Sequence, residues 1–421
     1  MSKPGGLAAY IAVTAAYWAF MLTDGALRML VLLHFHTLGF SPVQLAYLFV
    51  LYEVAGMATN LSAGWLAARF GLTSTLYAGL GLQVLALLAL ARLDPGWSVA
   101  ASVAYVMLVQ GASGVAKDLA KMSSKSAVKI LAPSTQGGLF RWVAVLTGSK
   151  NAVKGAGFLL GAILLASVGF VPSVLAMAAV LGVILVATVL GMPDGLPAGR
   201  KDAKFREIFS RNHNVNWLSA ARIFLFGARD VWFVVGIPIY FYAVLSDGTE
   251  AGNRSAFFII GSFMAVWTIL YGAIQGAAPR ILRAAKRSPS EIIGQAPIWV
   301  AWLGFIPAAL SAFVWFAAEP SPPLTAAIIG GLLIFGAVFA VNSALHSYLI
   351  LAFTSSDRVT MDVGFYYMSN AAGRLLGTLL SGVTYQLGGL PLCLGTAAVM
   401  IGLSWVSTRN LHTDIQQKAA S

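Results

Sequence analysis

The sequence predicts an all-α membrane protein with twelve transmembrane helices, and three observations support this prediction. Of the 421 residues, 58% are hydrophobic and only 10% are charged, whereas a soluble domain has about 25% charged residues. The apolar residues fall in long segments separated by glycine and proline, and one crossing needs about 20 such residues. The segments are also longer than the strands of a transmembrane β-barrel and lack their alternation.

Twelve apolar segments follow one another along the chain. We predict spans at residues 9–37, 42–69, 73–92, 98–117, 138–167, 171–191, 214–245, 255–278, 292–317, 324–352, 360–386 and 391–408. The first segment lacks the short apolar core and small-residue cleavage site of a signal peptide, so we expect it to remain as a span. The single cysteine, Cys393, excludes a disulfide framework, and we expect it to be a packing residue.

The basic residues predict the orientation in the membrane. With the N-terminus inside, eighteen Lys and Arg residues fall in the inner loops and tails, and only Arg92 and Arg254 fall in outer loops. Because cytoplasmic loops carry such an excess, we expect a bacterial inner-membrane protein with both termini in the cytoplasm. The formal charge of +12 then reflects topology and contact with anionic lipids, and we expect no nucleic-acid partner.

A polar segment near the middle of the chain divides six spans from six. We predict an N-terminal six-helix bundle at 1–191, a cytoplasmic linker at 192–213, a C-terminal six-helix bundle at 214–408 and a cytoplasmic tail at 409–421. The first span of each half carries Gly, Arg and Asp, in LTDGALRMLVL from Leu22 and LFGARDVWFVV from Leu225. Two parallel repeats of six spans describe the major facilitator architecture. The segment from Gly64 to Gly71 partly matches a loop motif of that superfamily, with Ala68 in place of its acidic residue.

Eleven charged residues fall in the interiors of the predicted spans, apart from the loop and span-edge residues counted above. The basic ones are Arg28, Arg141, Lys150, Lys154, Arg222, Arg229 and Arg374, and the acidic ones are Asp24, Glu53, Asp230 and Asp362. A charge at the bilayer centre costs about 3 kcal/mol by insertion scales, so these side chains should face each other or water. Spans three, six, nine and twelve have no charge in their interiors, as expected if every third helix faces lipid.

The helical period places several of these residues on common faces. Lys150 and Lys154 are four residues apart, Arg222 and Arg229 are seven apart, and a stripe at intervals of four contains Asp362, Tyr366, Asn370 and Arg374. Ion pairing of Asp24 with Arg28, and of Arg229 with Asp230, is the structural alternative to a binding role. Seven basic groups cannot all pair with four acidic ones, and an unpaired buried cation is costly unless water or an anionic ligand reaches it.

We therefore predict a binding site for a small anion. Its candidate residues are Arg28, Lys150, Asn151, Lys154, Arg222, Arg229, Tyr366, Asn370 and Arg374, and the candidates for proton coupling or ion pairing are Asp24, Glu53, Asp230 and Asp362. Among the basic residues, Lys150, Lys154, Arg222 and Arg374 are favoured as the group left for a ligand. Arg141, nearer a membrane face, is expected at a gate or lipid contact. For His34, His36 and His346 we favour neutral, hydrogen-bonded packing over proton relay.

Glycines predict where helices approach closely. They lie in span five, at Gly155, Gly157 and Gly161, and in span eleven, at Gly373, Gly377 and Gly382. We expect them at the moving interface rather than at the binding site.

The sequence shows no paired-histidine metal motif, phosphate loop or nucleophile elbow. We therefore expect no enzymatic activity, no cofactor, no resident metal ion and no ATP-driven pumping. An integral-membrane enzyme or a receptor-like sensor would need a catalytic cluster or an added soluble domain, and neither is apparent. The nearest alternatives are major facilitators for another organic phosphate or for drugs, although a drug exporter normally has an acid-rich cavity.

Five long, charge-bearing segments also resemble a known family. They are YWAFMLTDGALRMLVLLHFHTLGFSP from Tyr17, GVAKDLAKMSSKSAVKILAP from Gly114, LTGSKNAVKGAGFLLG from Leu146, KFREIFS from Lys204 and LSAARIFLFGARDVWFVV from Leu218. With these segments the chain, over nearly all of its length, resembles the organoarsenical efflux permease family ArsJ.

The resemblance implies a substrate and a functional partner. Members of the family are understood to export 1-arseno-3-phosphoglycerate, which a glyceraldehyde-3-phosphate dehydrogenase makes from arsenate and which falls apart outside the cell. No binding residues are carried over from the family, and we expect a monomer. The implied substrate is a small polyanion, and arginine matches tetrahedral oxyanions with paired hydrogen bonds. We expect Arg28, Lys150 and Lys154 to hold one end of it and Arg222, Arg229 and Arg374 to hold the other.

Overall fold

The computed structural model describes residues 4–131, 138–191, 210–283, 287–317, 319–354 and 359–412. Within these ranges every regular element is helical. The elements are α1 (Pro4–Thr37), α2 (Pro42–Tyr47), α3 (Val50–Phe70), α4 (Leu72–Leu90), α5 (Val99–Leu131), α6 (Gly138–Val168), α7 (Phe170–Gly191), α8 (His213–Val231), a π-helical turn (Trp232–Gly236), α9 (Ile237–Leu245), α10 (Glu250–Ile281), α11 (Pro289–Phe316), α12 (Pro322–Phe353) and α13 (Val359–Arg409).

Eleven helical stretches of the described chain are long and apolar enough to cross a membrane, and the last of them is long enough for two crossings. This stretch, Asp362–Arg409, has 48 residues, whereas one crossing needs about 20. It breaks at Gly388 and Gly389, whose backbone is not helical. Thr384 and Cys393, on opposite sides of the break, lie within 3.2 Å, although nine residues of straight helix would separate them by about 13 Å. The chain therefore reverses there, which confirms the twelve predicted spans.

Helix α5 is longer than the sequence predicts. Span four was expected to end at residue 117, whereas the helix continues to Leu131. Hydropathy falls where lysines begin, but a helix does not end at a membrane surface if its residues still favour helix. Lys117 and Lys121, counted above as inner-loop residues, consequently lie in α5.

Span seven is not a regular α-helix throughout. A π-helical turn, Trp232–Gly236, separates α8 from α9. Pro238 lies just after this turn. Proline has no N–H to donate to the carbonyl oxygen four residues earlier, and its ring clashes with that carbonyl, so it disturbs the helix there. The hydroxyl oxygen of Ser381 accepts hydrogen bonds from the N–H groups of Val235 and Gly236, at 3.1 and 3.2 Å. The irregular turn is therefore held by a side chain of α13.

Two of the helical stretches that carry buried charges are the most enclosed ones, whereas α6, which carries Lys154, is only 28% buried in its apolar window. In α1 and in the α8–α9 stretch, 78% and 83% of the apolar window is buried, against 28% in α7 and 22% in α11. Exposed large apolar side chains occur on the uncharged spans, for example Leu190 on α7 and Phe305 on α11. This agrees with the expectation that spans six and nine face lipid.

Helix packing divides the chain into two compact units. Unit 1 comprises Met1–Arg206 and Pro238–Gly272, and unit 2 comprises Glu207–Ile237 and Ala273–Ser421. Most of the predicted linker falls on residues 192–209, outside the described residues, so the predicted domain boundaries stay a prediction.

An equivalent pair of helices is in close backbone contact in each unit. In unit 1, a Cβ atom on Gly157 of α6 would meet the carbonyl oxygen of Leu22 on α1. In unit 2, a Cβ atom on Gly377 of α13 would meet the carbonyl oxygen of Gly227 on α8. The two contacts join span one to span five and span seven to span eleven, the equivalent spans of the predicted repeats.

Candidate functional site

In unit 1, buried charges from three helices form an N-terminal cluster of Asp24, Arg28, Tyr52, Glu53 and Lys154. Asp24 on α1 accepts hydrogen bonds from Lys154 Nζ and from the Tyr52 hydroxyl, each at 2.6 Å. Arg28, one turn further along α1, donates to Glu53 Oε1 on α3 at 3.4 Å. Both carboxylates in this cluster therefore have a cationic partner on another helix.

The pairing of Asp24 with Arg28, considered above as the structural alternative, is wrong. Asp24 bonds to groups from α3 and α6, and the Arg28 guanidinium lies over the rings of Phe49 and Tyr52, 4.9 and 5.6 Å from their centroids. Spacing along one helix identifies the common face of Asp24 and Arg28. It does not identify the neighbouring helix that supplies the better partner.

Of the other residues predicted in unit 1, two lie near the N-terminal cluster, and the side chains of several others are outside the described residues. Lys150 and Asn151 are half-buried on α6, one turn before Lys154. The side chains of Arg141 and of most of the partial loop motif, including Ala68, fall outside the described residues.

A second cluster in unit 1 was missed by the sequence analysis. Asp118 on α5 is fully buried and accepts hydrogen bonds from the Thr59 hydroxyl at 2.7 Å and from Lys121 Nζ at 2.9 Å. Lys121 Nζ also donates to Asn60 Oδ1 at 2.6 Å. Lys117 Nζ lies 3.9 Å from Asp118 Oδ2. The sequence did contain a feature that could have predicted this cluster: Asp118 stands directly after the apolar segment 98–117 and three residues before Lys121.

The two clusters of unit 1 meet at Tyr52. Its hydroxyl binds Asp24, and Lys117 Nζ lies 4.1 Å from the centroid of its ring. A cation over an aromatic face is attracted by the ring quadrupole. Polar contacts therefore continue from Lys154 on α6 through α1 and α3 to Asp118 on α5.

In unit 2, one carboxylate serves two guanidinium groups. Arg229 Nε on α8 donates to Asp230 Oδ1 at 2.6 Å, and Arg374 Nε on α13 lies 3.3 Å from Asp230 Oδ2. The ion pair of Arg229 with Asp230, considered above as the structural alternative to a binding role, is thus present. Arg374, expected to remain available for a ligand, is paired, as is Lys154 in unit 1.

Arg222 on α8 differs from all of these cations. It is 4% exposed, and its Nε donates to Asn370 Oδ1 at 3.0 Å. Its Nη1 donates to the carbonyl and hydroxyl oxygens of Ser343 at 3.2 and 3.3 Å. The guanidinium also lies over the rings of Phe226 and Tyr366, at 3.9 and 5.0 Å. Within the described chain no carboxylate lies within ion-pair distance of it, so neutral groups alone hold this cation.

The four residues of the stripe predicted on span eleven do not share one set of partners: three of them contact residues of α8, and the fourth, Asp362, contacts Thr354. Tyr366 and Asn370 contact Arg222, and Arg374 contacts Asp230. Asp362, near the start of α13, instead accepts a hydrogen bond from the Thr354 hydroxyl at 2.9 Å. We call Arg222, Arg229, Asp230, Asn370 and Arg374 the C-terminal cluster.

The histidines only partly follow the prediction. His34 stacks on Phe170 with ring centroids 4.1 Å apart, and His36 packs edge-on against Tyr242 at 4.8 Å. His346 on α12 is fully buried, and neither ring nitrogen has a hydrogen-bond partner among the described groups. The expected hydrogen bond of His346 is therefore wrong for this part of the chain.

The C-terminal cluster has the chemistry of an oxyanion site. A guanidinium carries five N–H donors, and the hydrogen bonds of Arg222 to described groups use Nε and Nη1 but not Nη2. Two N–H donors of Nη2 therefore remain for a phosphate-like group. The described residues contain no group of three His, Cys, Asp or Glu side chains that could hold a metal ion.

No protein-family profile and no curated protein matches this sequence, but solved structures match the fold. A variant of the nucleoside transporter NupG has a TM-score of 0.67, covers 95% of this chain and 98% of its own, and is 14% identical. A POT family transporter in complex with 5-aminolevulinic acid has a TM-score of 0.68, covers 96% and 95%, and is 14% identical. A structure from work on proton-dependent oligopeptide transporters has a TM-score of 0.67, covers 96% and 98%, and is 13% identical. The chain therefore has the all-α membrane transporter fold of major facilitators.

Proposed function

We propose that this chain is a secondary transporter that exports a small organic polyanion, 1-arseno-3-phosphoglycerate, by alternating access and so confers resistance to arsenate. The observation that supports an anionic substrate is Arg222, a buried cation that bonds only to neutral groups within the described residues. Burying a charge is costly unless it is paired. An anionic substrate would supply the missing partner each time the transporter is loaded.

The charge balance of the C-terminal cluster supports the same proposal. Three guanidinium groups, those of Arg222, Arg229 and Arg374, accompany one carboxylate, that of Asp230. This excess suits a ligand with more than one negative charge. A drug exporter for organic cations would need the opposite balance, so the C-terminal cluster disfavours that alternative.

The arsenical identity of the substrate rests on the resemblance of the sequence segments to the ArsJ family. Another organic phosphate of similar size would satisfy the same charges, and its export or exchange is the second candidate function. The functional partner in the first case is glyceraldehyde-3-phosphate dehydrogenase, which makes the substrate.

Arsenate resistance in an arsenic-sensitive host tests the proposal. Cells that express both the transporter and the dehydrogenase should resist arsenate, whereas cells with either one alone should not. Resistance from the transporter alone would indicate direct arsenate export. No resistance with both proteins present in the cells would remove the arsenical substrate and leave the second candidate.

Arg222→Gln tests the proposed anion site within this assay. Glutamine keeps some hydrogen bonding but removes the charge, so we expect resistance to be lost while the protein remains in the membrane. Arg254→Gln is the matched control, because Arg254 is exposed and pairs with exposed Glu250, a contact worth little. Normal resistance with Arg222→Gln would contradict the assignment of Arg222.

For energy coupling we propose that the electrical potential drives export. The cell interior is negative, which favours anion exit by about 2.3 kcal/mol per charge per 100 mV. Proton exchange through Asp24, Glu53 or Asp230 is the alternative, although each of these carboxylates already pairs with a cation. Uptake into everted vesicles should survive collapse of the pH gradient. Loss of uptake under that treatment would favour proton exchange.

A further inference from the structure

A groove on unit 2 opens between two helices that expose apolar side chains. It has a volume of about 490 Å³ and is lined by Ile298, Ala301, Trp302 and Phe305 on α11 and by Trp405 and Arg409 on α13. Trp302 and Phe305 are 66% and 72% exposed. On membrane-spanning helices such a surface adjoins the acyl chains of the bilayer.

One end of this groove carries a positive charge. Arg409 is the last residue of α13, and its guanidinium lies over the Trp405 ring at 4.8 Å. The residues that follow meet the first turn of α8, where Asn214 Nδ2 donates to the carbonyl oxygen of His412 at 3.1 Å. Because a helix end and a helix start lie together there, Arg409 is at the level of a membrane face.

We propose that this groove is a binding site for an anionic phospholipid. One acyl chain lies along the apolar wall formed by α11, and the headgroup phosphate binds Arg409. Three features of the groove suit this occupant, and the third, the basic residue, disfavours an uncharged one. Its volume lies within the range of small-molecule sites, about 300–1,000 Å³. Tryptophan is enriched at the depth of lipid headgroups, and basic pockets between spanning helices bind anionic headgroups.

The basic residue distinguishes this site from a general lipid-facing surface. Arg409 is solvent-exposed, and its guanidinium contacts the Trp405 ring, which belongs to the described residues. A stacked guanidinium is held in position and keeps its N–H donors for a phosphate. A zwitterionic headgroup would bring its own cation close to Arg409, so the site should prefer a lipid with net negative charge.

Native mass spectrometry of the full-length, delipidated protein tests this proposal. The probes are phosphatidylglycerol, phosphatidylcholine and inorganic phosphate. We expect the first bound phosphatidylglycerol to be favoured over phosphatidylcholine, and Arg409→Gln to weaken it by about fivefold while binding of phosphatidylcholine is unchanged. Inorganic phosphate should not compete, because it has no acyl chain.

Two further variants complete the test. Ala301→Trp fills the groove at an exposed position and should weaken the first bound lipid although Arg409 is intact. Arg254→Gln, which removes an exposed cation elsewhere, should leave it unchanged. Equal binding of the two lipids by the unaltered protein would overturn the proposal, and so would equal effects of Arg409→Gln and Arg254→Gln. A dimer that Ala301→Trp dissociates would also overturn it, because a second copy would then be the occupant.

Discussion

Individual charged side chains in this membrane protein differ in whether their partner is a charge. Arg28, Lys154, Arg229 and Arg374 each lie close to a carboxylate, whereas the described groups that contact Arg222 are amide, hydroxyl, carbonyl and aromatic ones. Removing one member of a buried ion pair leaves its partner uncompensated. Removing Arg222 leaves no carboxylate without a partner. Loss of function at Arg222 should therefore come without the loss of stability expected at the ion pairs.

The pair formed by Asp24 and Lys154 offers a test of this difference. We expect Asp24→Asn and Lys154→Gln each to destabilise the protein by about 3–5 kcal/mol, because a buried charge loses its partner in the ion pair. The double variant should lose much less free energy of unfolding than the sum of the two single losses. Denaturant unfolding in detergent, followed by tryptophan fluorescence, measures the three free energies. Additive losses would mean that the two groups do not interact in the folded protein.

Pairs of helices depend on glycines that allow their backbones to touch. In unit 1, α1 and α6 meet at Gly157, and in unit 2, α8 and α13 meet at Gly377. In each contact, one helix (α1 or α8) carries an arginine and an aspartate. The other helix (α6 or α13) supplies a further cation, Lys154 or Arg374, that pairs with this aspartate. Close approach is what brings these cations within reach of the carboxylates.

A change from Gly157 to alanine tests the role of this close approach. The new Cβ would meet the backbone of α1, and such overpacking costs about 1–3 kcal/mol. We expect a lower midpoint of thermal unfolding for Gly157→Ala. Gly182→Ala is the matched control, because a Cβ on Gly182 of α7 meets nothing within 4 Å. Equal unfolding midpoints for the two variants would show that α1 can move away without cost.

On the scale of the whole molecule, the distribution of basic residues predicts the orientation in the membrane. We propose a bacterial inner-membrane protein with both termini in the cytoplasm, because the predicted inner loops hold eighteen basic residues and the outer loops hold two. The loop between α9 and α10 is then outside, and the loop between α10 and α11 is inside.

Single cysteines in the two loops test this orientation. Cys393 is fully buried, and Cys393→Ser supplies a background without any thiol. An impermeant maleimide should label Asp247→Cys in intact cells and Arg287→Cys only after the cells are permeabilised. The reverse pattern would invert the proposed topology and place both termini outside.

The sequence by itself determined the membrane location of the segments, the twelve spans and most of the helices that carry buried charge. These properties depend on the length and apolar content of each segment, which add up locally along the chain. It missed Asp118, because a hydropathy boundary does not show that a helix continues beyond it.

Only the tertiary structure decided which charges meet. The pairs Asp24–Lys154 and Asp230–Arg374 join residues 130 and 144 positions apart, so they depend on which helices pack together. The same packing surrounds Arg222 with neutral groups. A helical period gives the face on which a side chain lies, but the energy of a buried charge is set by the atoms that the rest of the fold brings to that face.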